Sequence, residues 1–588
     1  MDRGQKKAWR SKSAVLLAGA AALTMTFGAG CEQPNWEDPA YVSKKLSEGD
    51  ATTRRMALEH ARKLPDEKKA EIVPALSALY LDGTVGQKES MALLVQIRHP
   101  AGGEAYLAEV KTNAAGYAGA AAEAIGQANI KSAIPGMLEL LNKTDSSEVK
   151  QGILRGLSHM PDPQYVGPLV EILKLDVDNN PIGLHAYACE ILGSIGQKTP
   201  SAIDDEARRT LVRAVFLANN RGQNVGRECG LAVQLVGASA VPVLLETFKG
   251  ENSEIQQLLM TYNRPPEFTF PANHAKLVAT IRLTGMRSKE AVAPFIADLS
   301  STKAAPVELG KTDHAVAWRM KEGNITDEII MGLGDIGDPA ARPVLEQVLL
   351  GERNEAWDDI TDGLVELQLR QDAANALNKL GDRAALPSLL KMAREGVIID
   401  LERRFAMLEK GGRPGSLLER YQFNWMAAQA YAMLASGEHL AEYQKFVDAT
   451  KEADLKTKYE SYLPLFAVAS ECGGKADDSA RAACYGEKLT VKEDMVREKA
   501  AFELSRLPAA IAGPILVSNL DTNNLGTRES ITFALYRAPS QAAIDKVDEI
   551  LEKEANRSGQ EYRLDHYRLR LLRGWMTGNV APAATSER

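Results

Sequence analysis

Apolar residues recur every three to four positions along most of this chain, the spacing that lays a stripe down one face of an α-helix. The clearest stretches are rich in alanine: "TRRMALEHARKL" from Thr53, "AGAAAEAIG" from Ala118, "VKQGILRGLSHM" from Val149, "LHAYACEILGSIG" from Leu184, "QDAANALNKLG" from Gln371, "WMAAQAYAMLASG" from Trp425 and "VREKAAFELSRLP" from Val496. Small residues at i, i+3 and i+4 let neighbouring helices approach closely, and the leucines fill the seam between them. Alternation of period two, the mark of a half-buried strand, is nowhere sustained. The pattern predicts an all-α protein.

A second kind of helix alternates with these and opens on proline. "SAIPGMLELLNK" from Ser132, "YVGPLVEILK" from Tyr165, "SAVPVLLETFKG" from Ser239, "EAVAPFIADLSS" from Glu290, "PAARPVLEQVLLG" from Pro339 and "RAALPSLLKMAREG" from Arg383 are variants of one phrase. Proline is tolerated in the first turn of a helix, where its missing N–H has no partner to lose. Pro135, Pro168, Pro242, Pro294, Pro343 and Pro387, with fainter members at Pro74 and Pro514, therefore mark helix starts. Their spacing fits one unit of roughly 35 to 50 residues, the range of helical repeats.

One of these phrases carries a formal G-x-G-x-x-G, Gly332, Gly334 and Gly337 in "MGLGDIGDPAARP", with Glu355 and Asp358 further on. A phosphate-cradling turn needs a strand before the glycines and a βαβ unit around them. Here "TDEIIMGLG" reads instead as a helix capped by Thr326 or Asp327. The glycines read as its C-terminal punctuation.

The repeated phrases resemble those of HEAT-repeat proteins of the bacterial HEAT-like type. In that family a first helix with an early proline packs on a second helix that begins near Val-Arg or Val-Lys after an Asp-containing turn. "TDSSEVKQGILRGL" (Asp145, Val149, Lys150), "GDATTRRMAL" (Asp50, Arg55) and "EDMVREKAAFEL" (Val496, Arg497) match it, while other units lack the basic residue. The resemblance covers about Asp38 to Gly578. It implies a right-handed α-solenoid of about twelve helix pairs over residues 41–578, ended by less regular caps.

Three stretches, near 251–275, 301–324 and 395–425, interrupt the period. They hold Phe268 and Phe270 among prolines, Trp318, and Arg403, Arg404 and Arg420 beside Trp425. Insertions project from one face of a solenoid, often its binding face, and aromatic and arginine side chains are the usual anchors of protein partners. These seven residues are the expected partner surface, with local covers over the core as the competing reading.

Composition changes the picture at the N-terminus. Residues 1–30 carry Arg3, Lys6, Lys7, Arg10 and Lys12, then an apolar run from Ala14 to Phe27 too short to cross a bilayer, then small residues before Cys31. This is the form of a secretory signal peptide. The cysteine after Gly28-Ala29-Gly30 resembles a bacterial lipobox, with Gly28 where leucine is usual. The resemblance implies lipidation of Cys31, a tether over 31–40 and an exported protein anchored in the bacterial envelope, facing the periplasm or the cell surface. No apolar run after the leader is expected to span a membrane. The chain carries a formal charge of −8, and removing a basic leader makes the remainder more acidic still, which argues against nucleic acid and anionic lipid faces. Residues 579–588 read as a disordered tail.

Of five cysteines, Cys472 and Cys484 flank a polar loop and are expected to bridge in an exported protein. Cys189 and Cys229 sit at equivalent positions in successive second helices. Helix axes 8 to 10 Å apart are wide for a bridge, so buried free thiols are the expectation there. Metal-binding spacings such as His-Glu-x-x-His or Cys-x-x-Cys do not occur, and neither do the His-Glu dipeptides of enzymes resembling deoxyhypusine hydroxylase; Glu59-His60 has the reverse order. "LDVDNNPIG" offers Asp176, Asp178 and Asn180 at calcium-loop spacing, yet Pro181 stands where the turn glycine belongs, so a capping turn is expected. No catalytic, cofactor-binding or metal-binding residue is assigned. The expectation is a non-catalytic scaffold that binds protein through the solenoid surface, its concave face of second helices included. The alternative is an enzyme or enzyme accessory, similar to the HEAT-like phycobilin lyases, with a pocket in that face.

Overall fold

The computed structural model describes residues 34–114, 116–261, 274–301, 324–351, 364–395, 422–555, 557 and 559–579. Among them every regular element is a helix, and the only β pairing is an isolated bridge between Ala218 and Asn224. Within each unit helix follows helix in pairs that pack on their neighbours, and the chain is an all-α solenoid. It divides into two compact units, one up to Ile97 and one from Arg98 onward.

The first unit consists of Pro39–Glu48, Ala51–Lys63, Val73–Leu81 and Gln87–Ile97, with a short turn of helix between the second and third. Asp38 and Asp50 start the first two by accepting from the backbone N–H groups of Ala40 (3.0 Å) and Thr53 (2.8 Å). Such caps satisfy donors that the helix itself cannot. Val42, Leu46, Leu76, Met91 and Leu94 are wholly buried and form its core.

In the second unit the prolines stand where the sequence puts them. Pro135, Pro242, Pro343 and Pro387 are the second residue of their helices, as Pro74 is in the first unit, and Pro168 and Pro294 are the third. A 3-10 turn precedes each of these helices. Pro514 departs from this, because it lies inside Ala509–Leu520. The carbonyl that its missing N–H would have bonded belongs to Ala510, which is exposed and can bond water.

The G-x-G-x-x-G is helical packing followed by a stop. Gly332 and Gly334 lie inside Asn324–Ile336, where a Cβ on Gly334 would come within 2.6 Å of the Ala376 Cα. Gly337 ends the helix with φ +77°, open to glycine at no steric cost. Because the helix begins by Asn324, Thr326 and Asp327 lie within its first turn, and neither is the cap expected from sequence.

The second helices of successive pairs approach closely, and glycine sets the distance. A Cβ on Gly126 would lie 2.0 Å from the Gly156 carbonyl oxygen, and one on Gly152 would lie 2.3 Å from the Gly119 Cα. Gly126→Ala must push two backbones apart and is expected to cost about 1–3 kcal/mol, the usual cost of overpacking. Gly167→Ala, in a helix with open space around the site, should instead stabilise by up to about 1 kcal/mol. Urea midpoints of the two variants moving in the same direction would contradict this packing.

Cys189 and Cys229 meet the expectation of free thiols with a correction. Their sulfurs are 2.04 Å apart and their Cα atoms 4.8 Å apart. Gly193 and Ala232 lie one turn further along the same two helices, and a Cβ on Gly193 would reach the Ala232 Cα at 2.8 Å. Small residues bring this crossing far inside the usual spacing of helix axes. Cys472 and Cys484 also stand at bonding distance, 1.98 Å. The stretch Gly226–Lys249 is long and apolar enough to match a membrane span, a length that sequence reading did not credit. Gly237, at φ +74°, divides it into two packed helices, Gly226–Val236 and Val241–Lys249.

Candidate functional site

The second helices of the middle of the second unit are Gly226–Val236, His274–Gly285, Asn324–Ile336, Leu364–Leu380 and Gln422–Leu434. Across from them lie the last second helices of the chain, Asp494–Leu504, Leu525–Leu535 and Gln560–Asn579, and the two rows touch. The chain therefore covers part of its own inner face. The partner surface expected along all the second helices is in this stretch an internal contact.

Cations hold the seam together by bonding the exposed carbonyls of helix ends. The last carbonyls of an α-helix have no partner within it, and the helix dipole places partial negative charge there. Arg537 Nη2 donates to the carbonyls of Lys379 (2.6 Å) and Leu380 (3.2 Å), and Arg506 Nη1 donates to that of Gly381. Lys499 Nζ donates to Met433 (2.7 Å) and Ala435 (2.6 Å), and Arg383 Nε to Leu434 (3.0 Å). Arg287 donates to the Asp335 carbonyl and stacks on the Tyr536 ring at 3.8 Å. Further along, Tyr567 donates to Gln234 Oε1 at 2.9 Å.

Burial dominates the electrostatics. It pushes Lys499 down to about 8 against the opposing pull of Glu503, and Arg537 down to about 10, helped by Arg287 and Arg506. Tyr536 rises to about 12 for the same reason. Arg383 Nη2 meets both oxygens of Glu503 (3.0 and 3.2 Å), and Lys499 Nζ meets one at 2.9 Å.

Two cavities open along the seam. The first, about 310 Å³, is walled by Arg287, Asp335 and Lys379 on one side and by Phe502, Phe533 and Arg537 on the other. Lys379 Nζ pairs with Asp335 Oδ1 at 2.9 Å and lies 5.1 Å from the Phe533 ring centre. Its two hydroxyls, Ser505 and Ser530, each donate to a carbonyl of their own chain segment, at 2.6 and 3.0 Å. Neither is poised against a general base. The second cavity, about 610 Å³, has Arg383, Arg481, Arg506 and Glu503 in its wall.

Of the residues expected at a partner surface, Phe268, Phe270, Trp318, Arg403, Arg404 and Arg420 lie outside the described residues, as does Cys31. Trp425 is described: it is half-buried on Gln422–Leu434, with Lys458 Nζ 4.7 Å from its ring centre. The Asp176 loop forms a turn. Asp176 Oδ1 accepts from Asp178 N at 3.0 Å, Asn180 Nδ2 donates to the Asp176 carbonyl at 2.9 Å, and Asp178 Oδ1 accepts from Asn220 N at 2.6 Å.

Sequence reading missed a wholly buried ion cluster. Arg528 donates to both oxygens of Glu554 (3.0 and 3.1 Å), to Asp565 Oδ2 (2.7 Å) and to the Thr522 carbonyl (2.6 Å). Glu554, Asp565 and His566 have metal-ligand spacing, but the guanidinium already occupies both carboxylates. "GTRES" in the sequence looks like an exposed helix start, and nothing in it signals burial.

No known family model matches the chain, and no curated protein matches it. Among solved structures it is similar to human deoxyhypusine hydroxylase in complex with glycerol, at 17% identity and a TM-score of 0.21, covering 56% of this chain and 99% of that one. It is also similar to importin beta (13%, TM-score 0.41, 92% and 80%) and to Kap121p bound to RanGTP (11%, TM-score 0.30, 92% and 67%). At such scores the likeness carries no functional argument. The solenoid stands on its own paired helices.

Proposed function

We propose that this chain is a non-catalytic, exported scaffold that binds a protein partner along the second helices between Ala118 and Glu190, short of Gln197, where the last helix arrives at Gly574. The observation that carries the reading is the division of the inner face. From Gln197 onward the chain's own last helices lie against it. Between Ala118 and Glu190 the second helices keep a water-facing stripe with Glu123, Gln127, Arg155, Tyr187 and Glu190. Arg155 and Glu123 pair across neighbouring helices at 3.0 Å, one polar link between two helices of the stripe. The insertion residues Phe268, Phe270, Trp318, Arg403, Arg404, Arg420 and Trp425 form a second proposed contact set.

Export is supported by the leader, by Cys31 and by two cysteine pairs at bonding distance, since disulfides persist in oxidising compartments. The anchor is the lipidated Cys31. The cavities of the seam give the alternative, an enzyme accessory with a charged pocket, its physical basis.

A photo-crosslinking residue at Tyr187 or Glu190, in cells, should give one discrete protein adduct, and one at Lys143 on a first helix should give none. Absence of adducts at both stripe positions would overturn the reading. Charge reversal of Arg403, Arg404 and Arg420 that leaves the adduct intact would remove the insertions from it. Cys31→Ala should move the protein to the soluble fraction, and continued membrane association would count against lipidation.

A further inference from the structure

The 610 Å³ cavity has three arginines in its wall, Arg383, Arg481 and Arg506. Glu503 is the one acid that Arg383, Lys499 and Arg506 share, at 3.0, 2.9 and 4.0 Å, and none of the three has another ion pair among the described residues. Glu438 also faces the cavity, but it is exposed and accepts from Ser436 Oγ at 2.7 Å.

These guanidinium donors are only partly used within the protein. Arg383 spends Nε on Leu434 and Nη2 on Glu503, and Arg506 spends Nη1 on Gly381. Arg481, across the same cavity, spends Nε on the Lys475 carbonyl and Nη1 on Asp478. Arg383 Nη1, Arg506 Nη2 and Arg481 Nη2 have no acceptor among the described residues. A planar guanidinium presents such donors in a rigid fork that matches oxyanions. Desolvation and the neighbouring Arg383 both disfavour the charge on Arg506. A bound anion relieves both.

We propose that this cavity binds a small oxyanion, a phosphate or a carboxylate, on the free guanidinium edges of Arg383, Arg481 and Arg506. The proposal is independent of the protein-binding stripe, which lies on other helices. Binding here would also brace the seam, because Arg383 and Arg506 each join the last pairs of the unit to its middle.

The test is calorimetric titration of the exported chain, freed of its leader and anchor, with inorganic phosphate, succinate and chloride at matched ionic strength. Phosphate or succinate should bind and chloride should not, with the stronger of the two naming the oxyanion class. Arg481→Gln and Arg506→Gln should each weaken binding at least about tenfold, the loss of one charge-assisted hydrogen bond. Arg481 takes no part in the seam, so its variant keeps the test decisive if Arg506→Gln fails to fold. An equal response to chloride, or unchanged binding in Arg481→Gln, would overturn the proposal.

Discussion

Arg528→Leu is expected to cost about 3–5 kcal/mol of stability, read as a fall in the urea midpoint, because it strands two carboxylates inside the protein. Arg528, Glu554 and Asp565 are all buried, and the guanidinium is the group that joins the two acids. Arg557 and His566 touch only Glu554, and from the cluster's edge. Replacing the whole cluster, with Glu554→Leu and Asp565→Leu added, should recover most of the loss, since an apolar set of similar volume carries no stranded charge. A triple variant no more stable than the single one would refute the stranded-charge explanation. The intact cluster should also show in the pH dependence. Burial alone would raise Glu554, but the hydrogen bonds from Arg528 and His566 outweigh it and hold this carboxyl below its usual value of 4.5. Its stabilisation is fully present above that value and is lost as pH falls through the lowered one. Acid unfolding of Arg528→Leu should lack this component.

The double change Cys189→Ser and Cys229→Ser is expected to cost about 4 kcal/mol on the chain-entropy estimate for the separation of 40 residues. For Cys472 and Cys484, separated by 12, the same estimate gives about 3 kcal/mol. The wider loop should therefore be the costlier one to open. Alkylation of the unfolded, unreduced protein followed by mass mapping checks the premise. Modification of Cys189 and Cys229 in that experiment would restore the reading of free thiols.

Much of the fold was legible because it rests on local rules. Proline can enter a helix only in its first turn without losing a hydrogen bond, so Pro135 or Pro343 states where a helix begins. Gly337 states where one ends. The same rule failed at Pro514, where an exposed carbonyl tolerated the loss. The bridge between Cys189 and Cys229 was hidden by use of an average spacing between helices. Gly193 and Ala232, one turn along each helix, were the sign of a crossing closer than average. The seam was not legible at all. Arg383, Lys499, Arg506 and Arg537 read as ordinary surface charges of amphipathic helices, and their partners lie 51 to 158 residues away in the chain. No periodic pattern encodes that meeting, since each helix satisfies its own repeat with or without it.

That meeting also changes how the second unit should come apart. In an open repeat array each pair feels only its neighbours, so fraying can start at an end and travel inward one pair at a time. Here Tyr567 is bonded to Gln234 across 333 positions, and the tail end is fastened into the centre. Loosening any pair between them strains that fastening, so the stretch from Gly226 to Asn579 should melt as a block. Its assembly must likewise wait for the last helices to be made, which puts a slow, long-range step at the end of folding.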